Sequence, residues 1–216
     1  MIEPYYQEDG ITLYNARCED VLPQLNESVG LVLTDPPYGI DYDPQSNKYG
    51  ATTKTHTKVS GDDKAFDPTW LLQYENIILW GGNCFASLLP NKPAWFVWDK
   101  VLKNDLNLRI AECEIAWTNC VGRSRVFRYL WSGAYRQGEN GDFFHPTQKP
   151  IALMEWCITI AGVDGIIFDP YCGAGATLIA AKRLGRRAVG IEMSEAYCQI
   201  AVQRLSQKEL FGVVKF

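Results

Sequence analysis

The stretch Ile166-Ile167-Phe168-Asp169-Pro170-Tyr171-Cys172-Gly173-Ala174-Gly175-Ala176-Thr177 decides the fold. An apolar strand ending in Asp169 runs into a glycine-containing turn, and the residues after the turn predict a helix. Gly173 and Gly175 let the backbone approach a ligand closely, and a helix N-terminus favours negative charge. The next strand ends in Gly190-Ile191-Glu192, where an acid can accept both hydroxyls of a ribose.

This stretch also has other interpretations. The glycines could serve only the close packing of a helix in an ordinary βαβ unit. A dinucleotide site would need a third glycine, and Leu178 stands in its place. A nicotinamide site is therefore disfavoured.

Strand-like and helix-like runs alternate along the chain, which predicts an α/β fold. Several strands are short apolar runs, as expected for a sheet covered on both faces. The predicted strands are Ile11–Tyr14, Gly30–Thr34, Asn76–Trp80, Ala94–Trp98, Glu112–Trp117, Ile166–Asp169 and Ala188–Glu192. Helices are predicted from near Pro150, from Ala174 to about Leu184, and after an N-cap at Ser194.

The composition indicates an ordinary globular protein with one domain over residues 1–216, with 47% hydrophobic and 21% charged residues. A net charge of −4 disfavours binding of nucleic acid by bulk positive charge but allows a local basic face. Seven cysteines without a C-x-x-C pair, and two distant histidines, predict no metal site. Unpaired cysteines and the lack of a long apolar run or signal peptide predict a cytoplasmic protein without a membrane span.

A second motif, Leu31-Val32-Leu33-Thr34-Asp35-Pro36-Pro37-Tyr38, places an acid, two prolines and an aromatic residue after a hydrophobic strand. The exocyclic amine of a nucleobase is a poor nucleophile because its lone pair is delocalised into the ring. The Asp35 carboxylate and the Pro36 carbonyl could accept its N–H groups and free that lone pair, while Tyr38 could stack on a flipped base. Pro37 helps to stiffen the turn. The alternative is a strand-terminating turn without chemistry.

A third motif, His145-Pro146-Thr147-Gln148-Lys149-Pro150, precedes a predicted helix. A lysine in the first turn opposes the helix dipole, so Lys149 is better placed if it faces an anionic ligand. The alternative is a helix start bounded by prolines.

Two segments lack a regular pattern. Residues 41–64 are polar and are predicted to be a mobile loop, whereas residues from about 120 to 144 mix arginines with aromatics and are predicted to be an irregular insertion. Arginines next to aromatics suit phosphate contact and base stacking, and the alternative is a solvated loop with a few core aromatics. The candidate nucleic-acid contacts are Arg123, Arg125, Arg128 and Arg136 with Phe127, Tyr129 and Trp131, and Lys48, Lys54 and Lys58 in the loop.

Together the three motifs resemble the amino-group DNA methyltransferases that use S-adenosylmethionine, in their circularly permuted β-class order. The resemblance spans about residues 14–205. It implies a Rossmann-like α/β fold whose seven-stranded, mostly parallel sheet has one antiparallel strand and places the first strand beside the last. It also implies that the segment at about 120–144 is a short target-recognition insertion.

The resemblance assigns the target base to Asp35, Pro36, Pro37 and Tyr38. The residues implied to bind the cofactor are Ala16, Cys18, Asp35, Lys149, Asp169, Tyr171, Gly173, Gly175 and Glu192. The acid of the second motif is typical of adenine N6 enzymes, since cytosine N4 enzymes usually carry serine there. Attack on cytosine C5 is disfavoured because the chain contains no Pro-Cys pair.

Arg17 departs from the family pattern, which usually has an acid there for the adenine of the cofactor. The sequence therefore leaves three alternatives to an adenine N6 enzyme open: a cytosine N4 enzyme, a non-catalytic DNA-binding relative with a weakened cofactor site, and a methyltransferase acting on RNA or a protein amide. DNA is the expected partner, and dimerisation and a restriction endonuclease partner stay open. The short recognition segment predicts a short target sequence or weak specificity.

Overall fold

A central nine-stranded sheet organises the part of the chain that the computed structural model describes, which is residues 2–25, 28–39, 61–91, 94–101, 111–132, 135–138 and 148–207. Its strands are β1 (Tyr6–Glu8), β2 (Ile11–Asn15), β3 (Val29–Thr34), β4 (Ile77–Trp80), β5 (Ala94–Asp99), β6 (Cys113–Thr118), β7 (Arg125–Arg128), β10 (Ile166–Asp169) and β11 (Ala188–Glu192). The short strands β8 (Trp131–Ser132) and β9 (Tyr135–Arg136) pair separately as an antiparallel hairpin.

The strands of the sheet lie in the order β1-β2-β11-β10-β3-β4-β6-β5-β7. The five strands from β2 to β4 in that order are mutually parallel, and β6 runs antiparallel to both of its neighbours. All seven predicted strands are present, so the α/β fold is confirmed. The expected count of seven was too low, because β1 adds an antiparallel edge strand beside β2 and β7 adds a parallel one beside β5.

The first predicted strand does lie beside the last one. β2 pairs in parallel with β11, from Ile11 opposite Ala188 to Asn15 opposite Glu192. The side-chain amide of Asn15 donates to the backbone carbonyls of Glu192 and Met193, each at 3.0 Å. An early and a late segment of the described chain thereby meet at the edge of the sheet that borders the cavity described below.

Three longer helices, α2 (Ile151–Ala161), α3 (Ala176–Arg183) and α4 (Glu195–Leu205), follow the short helix α1 (Cys18–Val21). Short 3-10 helices cover Leu22–Gln24, Thr69–Gln73 and Gly82–Leu88. α3 begins two residues later than predicted because Gly175, at φ 80°, adopts the left-handed conformation and is the N-cap. Ser194 is the N-cap of α4, as predicted, although its side chain makes no capping hydrogen bond.

Apolar side chains project from both faces of the sheet. Leu31 and Leu33 of β3 pack into a core with α2, α3 and α4, whereas Val32 between them packs on the opposite face with Leu71, Phe85 and α1. All three valine and leucine side chains are essentially inaccessible to solvent. This arrangement explains the continuous apolar runs, because each strand must be apolar on both of its faces.

Candidate active site

The carboxyl ends of the parallel strands open into a cavity of about 920 Å³. Ligands of open α/β sheets bind at this edge because the ends of parallel strands and the turns after them converge there. The predicted site residues that line the cavity are Ala16, Cys18, Asp35, Pro36, Pro37, Tyr38, Lys149, Asp169, Tyr171, Gly173 and Glu192. The structure thus brings together residues separated by as many as 176 positions in the sequence.

Gly175, alone among the predicted cofactor residues, is not part of the cavity lining. It instead packs against helix α4. A Cβ atom built on Gly175 would lie 3.0 Å from the Cβ of Ala201 in α4. Arg204, also in α4, is buried and donates a 2.6 Å hydrogen bond to the carbonyl of Ala174. The close packing of α4 therefore holds the glycine turn in place.

Glu192, at the end of β11, faces the glycine turn. Its Oε2 accepts a 3.0 Å hydrogen bond from the backbone N–H of Gly173, and its Oε1 accepts one of 2.7 Å from that of Ser194. Burial raises the pKa of Glu192, and the backbone donors only partly oppose that effect. The two backbone bonds fix the orientation of the carboxylate and leave each oxygen a lone pair for a ligand hydroxyl.

Asp169, at the end of β10, is a buried carboxyl. Its Oδ1 accepts hydrogen bonds from the Thr34 hydroxyl at 2.7 Å and from the backbone N–H of Tyr171 at 3.1 Å. Burial raises its pKa to about 6, although Thr177 and Thr34 favour the ionised form through hydrogen bonds. Asp169 is therefore an anion at neutral pH that is suited to a cationic ligand.

Asp35 follows β3 and has both carboxylate oxygens engaged. Oδ1 accepts a 2.5 Å hydrogen bond from the Tyr38 hydroxyl, and Oδ2 accepts one from the ammonium of Lys149. Burial raises the pKa of Asp35, and the Lys149 charge opposes this. Burial and the neighbouring carboxylates raise the pKa of Tyr38 well above its usual range, so Tyr38 acts as a phenol donor.

Glu114 of β6 completes this charged group and was missed in the sequence analysis. Its Oε2 lies 3.0 Å from Nζ of Lys149, and its Oε1 accepts a 2.8 Å hydrogen bond from Nζ of Lys100. Burial alone would raise the pKa of Glu114, but the two ammonium groups outweigh it and lower the pKa to about 2. Two carboxylates and two ammonium groups thus alternate beside the cavity, and the only sequence signal for Glu114 was an acid within an apolar strand.

The ring of Tyr38 packs directly against Gly81. Gly81, at φ 72°, has the left-handed conformation, and a Cβ atom built on it would lie 2.0 Å from the Tyr38 ring. Nζ of Lys149 lies 5.7 Å from the ring centroid. Glycine is required at position 81 because the backbone there is left-handed and because any side chain would displace the Tyr38 ring.

Arg17, the departure from the family pattern, is the N-cap residue of α1 and lines the cavity. Its side chain is 68% exposed and lies 3.7 Å from the Glu19 carboxylate. The neighbouring Cys18 is buried, and its thiol donates a 2.9 Å hydrogen bond to the carbonyl of Pro170. The Arg17 guanidinium therefore points toward solvent and leaves room for a ligand at this end of the cavity.

An aromatic wall, which the sequence analysis did not predict, lies beside the glycine turn. Phe66 packs edge-on against Tyr171 with ring centroids 5.5 Å apart, and Trp70 lies 6.5 Å from the same ring. All three residues line the cavity. Edge-to-face contacts of this kind fix ring orientation, and Phe66 and Trp70 come from a segment in which no motif is apparent.

The described arginines among the predicted nucleic-acid residues are not part of the cavity lining. Arg123, Arg125 and Arg128 are exposed at and before edge strand β7, and Arg128 lies 3.6 Å from Asp99. The side chain of Arg136, the loop residues Lys48, Lys54 and Lys58, and most of the loop predicted at 41–64 fall outside the described residues. The structure brings the three described arginines together on one edge of the sheet.

The predicted stacking role of the aromatics between these arginines was wrong. Phe127 and Tyr129 are buried in the core, where Phe127 lies 5.3 Å from Trp156 of α2. Trp131 packs against Trp98 at 6.3 Å. Residues 125–128 are a strand of the main sheet and not an irregular insertion. Phe127 and Tyr129 therefore face the core, while Arg128 between them faces the other side, as successive residues of a strand do.

Within the described part of the chain, no group of three or more histidine, cysteine, aspartate or glutamate side chains is arranged to hold a metal ion. Within the same residues, no helix is long and apolar enough to cross a membrane.

The cavity at the carboxyl edge of the mixed sheet thus holds both the glycine turn, with Asp169 and Glu192 beside it, and the Asp-Pro-Pro-Tyr turn. A family model described as DNA methylase, for N6 and N4 methyltransferases, matches residues 48–203. The chain therefore belongs to the N6/N4 DNA methylase family, and S-adenosylmethionine is its methyl donor.

Two type II methyltransferases are similar in sequence. M2.LlaDCHI of Lactococcus lactis subsp. cremoris is 25% identical over 260 residues, covering 99% of this chain and 96% of the relative. M2.DpnII of Streptococcus pneumoniae is 42% identical over 78 residues, covering 35% of this chain and 29% of the relative.

Solved structures share the fold. The M1.HpyAVI–SAM complex superposes with a TM-score of 0.61 at 22% identity, covering 91% of this chain and 100% of that one. The cytosine-N4-specific PvuII DNA methyltransferase superposes with a TM-score of 0.64 at 16% identity, covering 97% and 91%.

Proposed function

We propose that this protein transfers a methyl group from S-adenosylmethionine to the exocyclic N6 of adenine in DNA. The observation that carries the proposal is the position of Asp35 and Tyr38, which share one cavity with the glycine turn and Glu192. A base acceptor and a cofactor site must adjoin in this way for a direct transfer. Aspartate at position 35, in place of the serine usual in cytosine N4 enzymes, favours adenine.

The residues of the cavity fit the cofactor. Its volume of about 920 Å³ is in the range of small-molecule sites. The Asp169 carboxylate suits the cationic amino group of the methionine part, and the Glu192 carboxylate suits the two ribose hydroxyls. The aromatic wall of Phe66, Trp70 and Tyr171 supplies apolar surface beside the turn.

In the proposed mechanism, the target base leaves the duplex and stacks on Tyr38. The Asp35 carboxylate and the Pro36 carbonyl accept hydrogen bonds from the amine, which localises the nitrogen lone pair. The bound cofactor, held by Asp169 and Glu192, would supply an electrophilic methyl group on sulfur. The amine nitrogen, oriented by Asp35 and Pro36, would accept that group and release one proton to solvent. Positioning and hydrogen bonding by the chain provide the catalysis.

The finer features of the proposal follow from the resemblance and the relatives. The motif order, with Asp35 before the glycine turn, is the circularly permuted one. Arg123, Arg125 and Arg128, together with Arg136, Lys48 and Lys54, are proposed to contact DNA phosphates. A cytoplasmic location agrees with a DNA substrate and with free thiols at all seven cysteines. Type II relatives make a restriction endonuclease partner and a homodimer reasonable targets for co-expression and sizing experiments.

The test is expression in a host without adenine methylation, followed by mass spectrometry of the genomic nucleosides. We expect N6-methyladenine from the wild type and none from Asp35→Ala, with unchanged circular dichroism. N4-methylcytosine as the product would overturn the adenine assignment, and full activity of Asp35→Ala would overturn the mechanism. Calorimetric titration with S-adenosylmethionine tests the alternative of a non-catalytic relative, which predicts no binding.

A further inference from the structure

Lys149 occupies a place that the cofactor assignment alone does not explain. Its side chain is only 4% exposed, and its ammonium contacts Asp35 Oδ2, Glu114 Oε2 at 3.0 Å and the Tyr38 hydroxyl at 3.3 Å. These three partners stand at the ends or on the surface of β3 and β6, on the target-base side of the cavity. The ammonium therefore lies among the residues that are proposed to hold the target base.

The ammonium and the Asp35 carboxylate form an adjacent donor and acceptor. Adenine and cytosine present the complementary pair on their Watson–Crick edges, because the exocyclic amine donates and the neighbouring ring nitrogen accepts. Guanine and thymine present the reverse pattern, with a carbonyl oxygen beside a ring N–H. A flipped base is read through hydrogen bonds to this edge.

We propose that Lys149 donates a hydrogen bond to the ring nitrogen beside the target amine, so that Asp35 and Lys149 together select adenine or cytosine over guanine and thymine and set the orientation of the base. The inference rests on the proposed function, in which Asp35 accepts the amine. It assigns a hydrogen-bond donor to the ring nitrogen beside the amine. It also explains why bases that carry a carbonyl oxygen in place of that amine are rejected.

Glu114 and Lys100 keep the donor in place when the base arrives. The amine displaces the Lys149 ammonium from one oxygen of Asp35, while the Glu114 carboxylate retains it at 3.0 Å. The 3.3 Å contact with the Tyr38 hydroxyl is the longest of the three, so the N–H that makes it is the one most easily redirected. Lys100 in turn holds Glu114 at 2.8 Å, and the four formal charges cancel.

The experiment changes the substrate and leaves the protein intact. Single-turnover methylation is measured on duplexes with adenine, 1-deazaadenine or 7-deazaadenine at the target position. 1-Deazaadenine lacks the ring nitrogen beside the amine, and 7-deazaadenine lacks the nitrogen on the opposite edge. We expect the first replacement to slow methylation by about tenfold or more, the usual effect of losing one hydrogen bond to a charged group, and the second to have little effect.

A double comparison ties the effect to Lys149. Lys149→Met should be slow on adenine and should show no further loss on 1-deazaadenine. Equal rates of the wild type on adenine and 1-deazaadenine, sensitivity to 7-deazaadenine instead, or undiminished sensitivity of Lys149→Met to 1-deazaadenine would each overturn the inference. Asp35→Ala on the same duplexes separates the two proposals, because an active Asp35→Ala removes the proposed function, whereas its inactivity leaves only the role of Lys149 in question.

Discussion

The hydroxyl of Thr34, the last residue of β3, donates a 2.7 Å hydrogen bond to Oδ1 of Asp169, the last residue of β10. Thr34 directly precedes the Asp-Pro-Pro-Tyr turn, and Asp169 begins the glycine turn. One buried hydrogen bond therefore connects the proposed target-base and cofactor sites.

Cofactor affinity should rise with pH through a midpoint near 6. Burial raises the pKa of Asp169 to about 6, and only the ionised carboxylate attracts the cationic amino group of the methionine part. Calorimetric titrations with S-adenosylmethionine between about pH 5 and 8 measure the midpoint. Asp169→Asn should bind weakly and without this dependence, and a persistent midpoint near 6 in that variant would assign the titration to another group.

The same pKa shift has the opposite effect on the free protein. A raised pKa means that the folded state favours the protonated carboxyl. The contribution of Asp169 to stability is therefore complete below its ordinary pKa of 3.8 and is lost as the pH rises through about 6. Cofactor binding and cofactor-free stability should thus depend on pH in opposite directions at this residue.

Thr34→Val should move the binding midpoint to higher pH. The substitution keeps the side-chain shape but removes a hydrogen bond that favours ionised Asp169, which corresponds to about one pH unit. The same titrations measure the change. Thr118→Val, at another fully buried threonine, is the matched control, and an unchanged midpoint in Thr34→Val would show that the bond does not tune Asp169.

Gly81→Ala should impair methyl transfer more than cofactor binding. The added Cβ would lie 2.0 Å from the Tyr38 ring and must displace it. Gly185→Ala is a close control, since Gly185 has a similar φ of 64° and no atom lies within 4 Å of the added Cβ. Both variants carry a similar backbone penalty of about 1 kcal/mol, so a rate loss confined to Gly81→Ala isolates the displacement of Tyr38. Equal losses in both would attribute the effect to backbone strain.

Glu114→Gln should lower the free energy of unfolding by about 3 kcal/mol, because it leaves two buried ammonium groups with one carboxylate. It should also slow methyl transfer, since Lys149 loses one of its two anionic partners. Urea denaturation and single-turnover rates measure the two effects. Glu112→Gln removes an exposed charge two residues away on the same segment and should change neither, and a Glu114→Gln variant as stable as the wild type would contradict the buried network.

Arg123→Ala and Arg125→Ala should each reduce the salt dependence of DNA binding. Each lost phosphate contact lowers the slope of log K against log salt concentration by about one. Fluorescence anisotropy with a labelled duplex at several salt concentrations measures the slope. Arg187 is the control, because it is exposed just before β11, which is six strands away from β7 in the sheet. An equal change in Arg187→Ala would indicate non-specific electrostatics.

The sequence was informative where a local pattern carries the geometry. Asp169 and the glycine turn lie within one strand-turn-helix unit, and Asp35 ends an apolar strand, so both could be placed at the carboxyl edge of a parallel sheet. The parallel pairing of Ile11–Asn15 with Ala188–Glu192 followed from the family resemblance and not from the strands themselves.

The network around Glu114 could not be predicted in the same way. Its contacts with Lys100 and Lys149 join β6, the end of β5 and the start of α2. Residues so far apart in the sequence have no spacing pattern from which these contacts could be predicted. Phe127 was predicted to stack on nucleic acid but belongs to the core. An aromatic residue between arginines gives the same sequence pattern in a stacking loop and in an edge strand. Only the packing of Phe127 on Trp156 distinguishes the two.

The pairing of β2 with β11 also has a consequence for the order of folding. Asn15 and Glu192 are 177 positions apart, and closing so long a separation is entropically costly and slow. During synthesis, β2 must wait for its parallel neighbour until nearly the whole described chain has left the ribosome. The proposed pocket for the methyl donor should therefore form late, and S-adenosylmethionine should not stabilise nascent chains that end before residue 188.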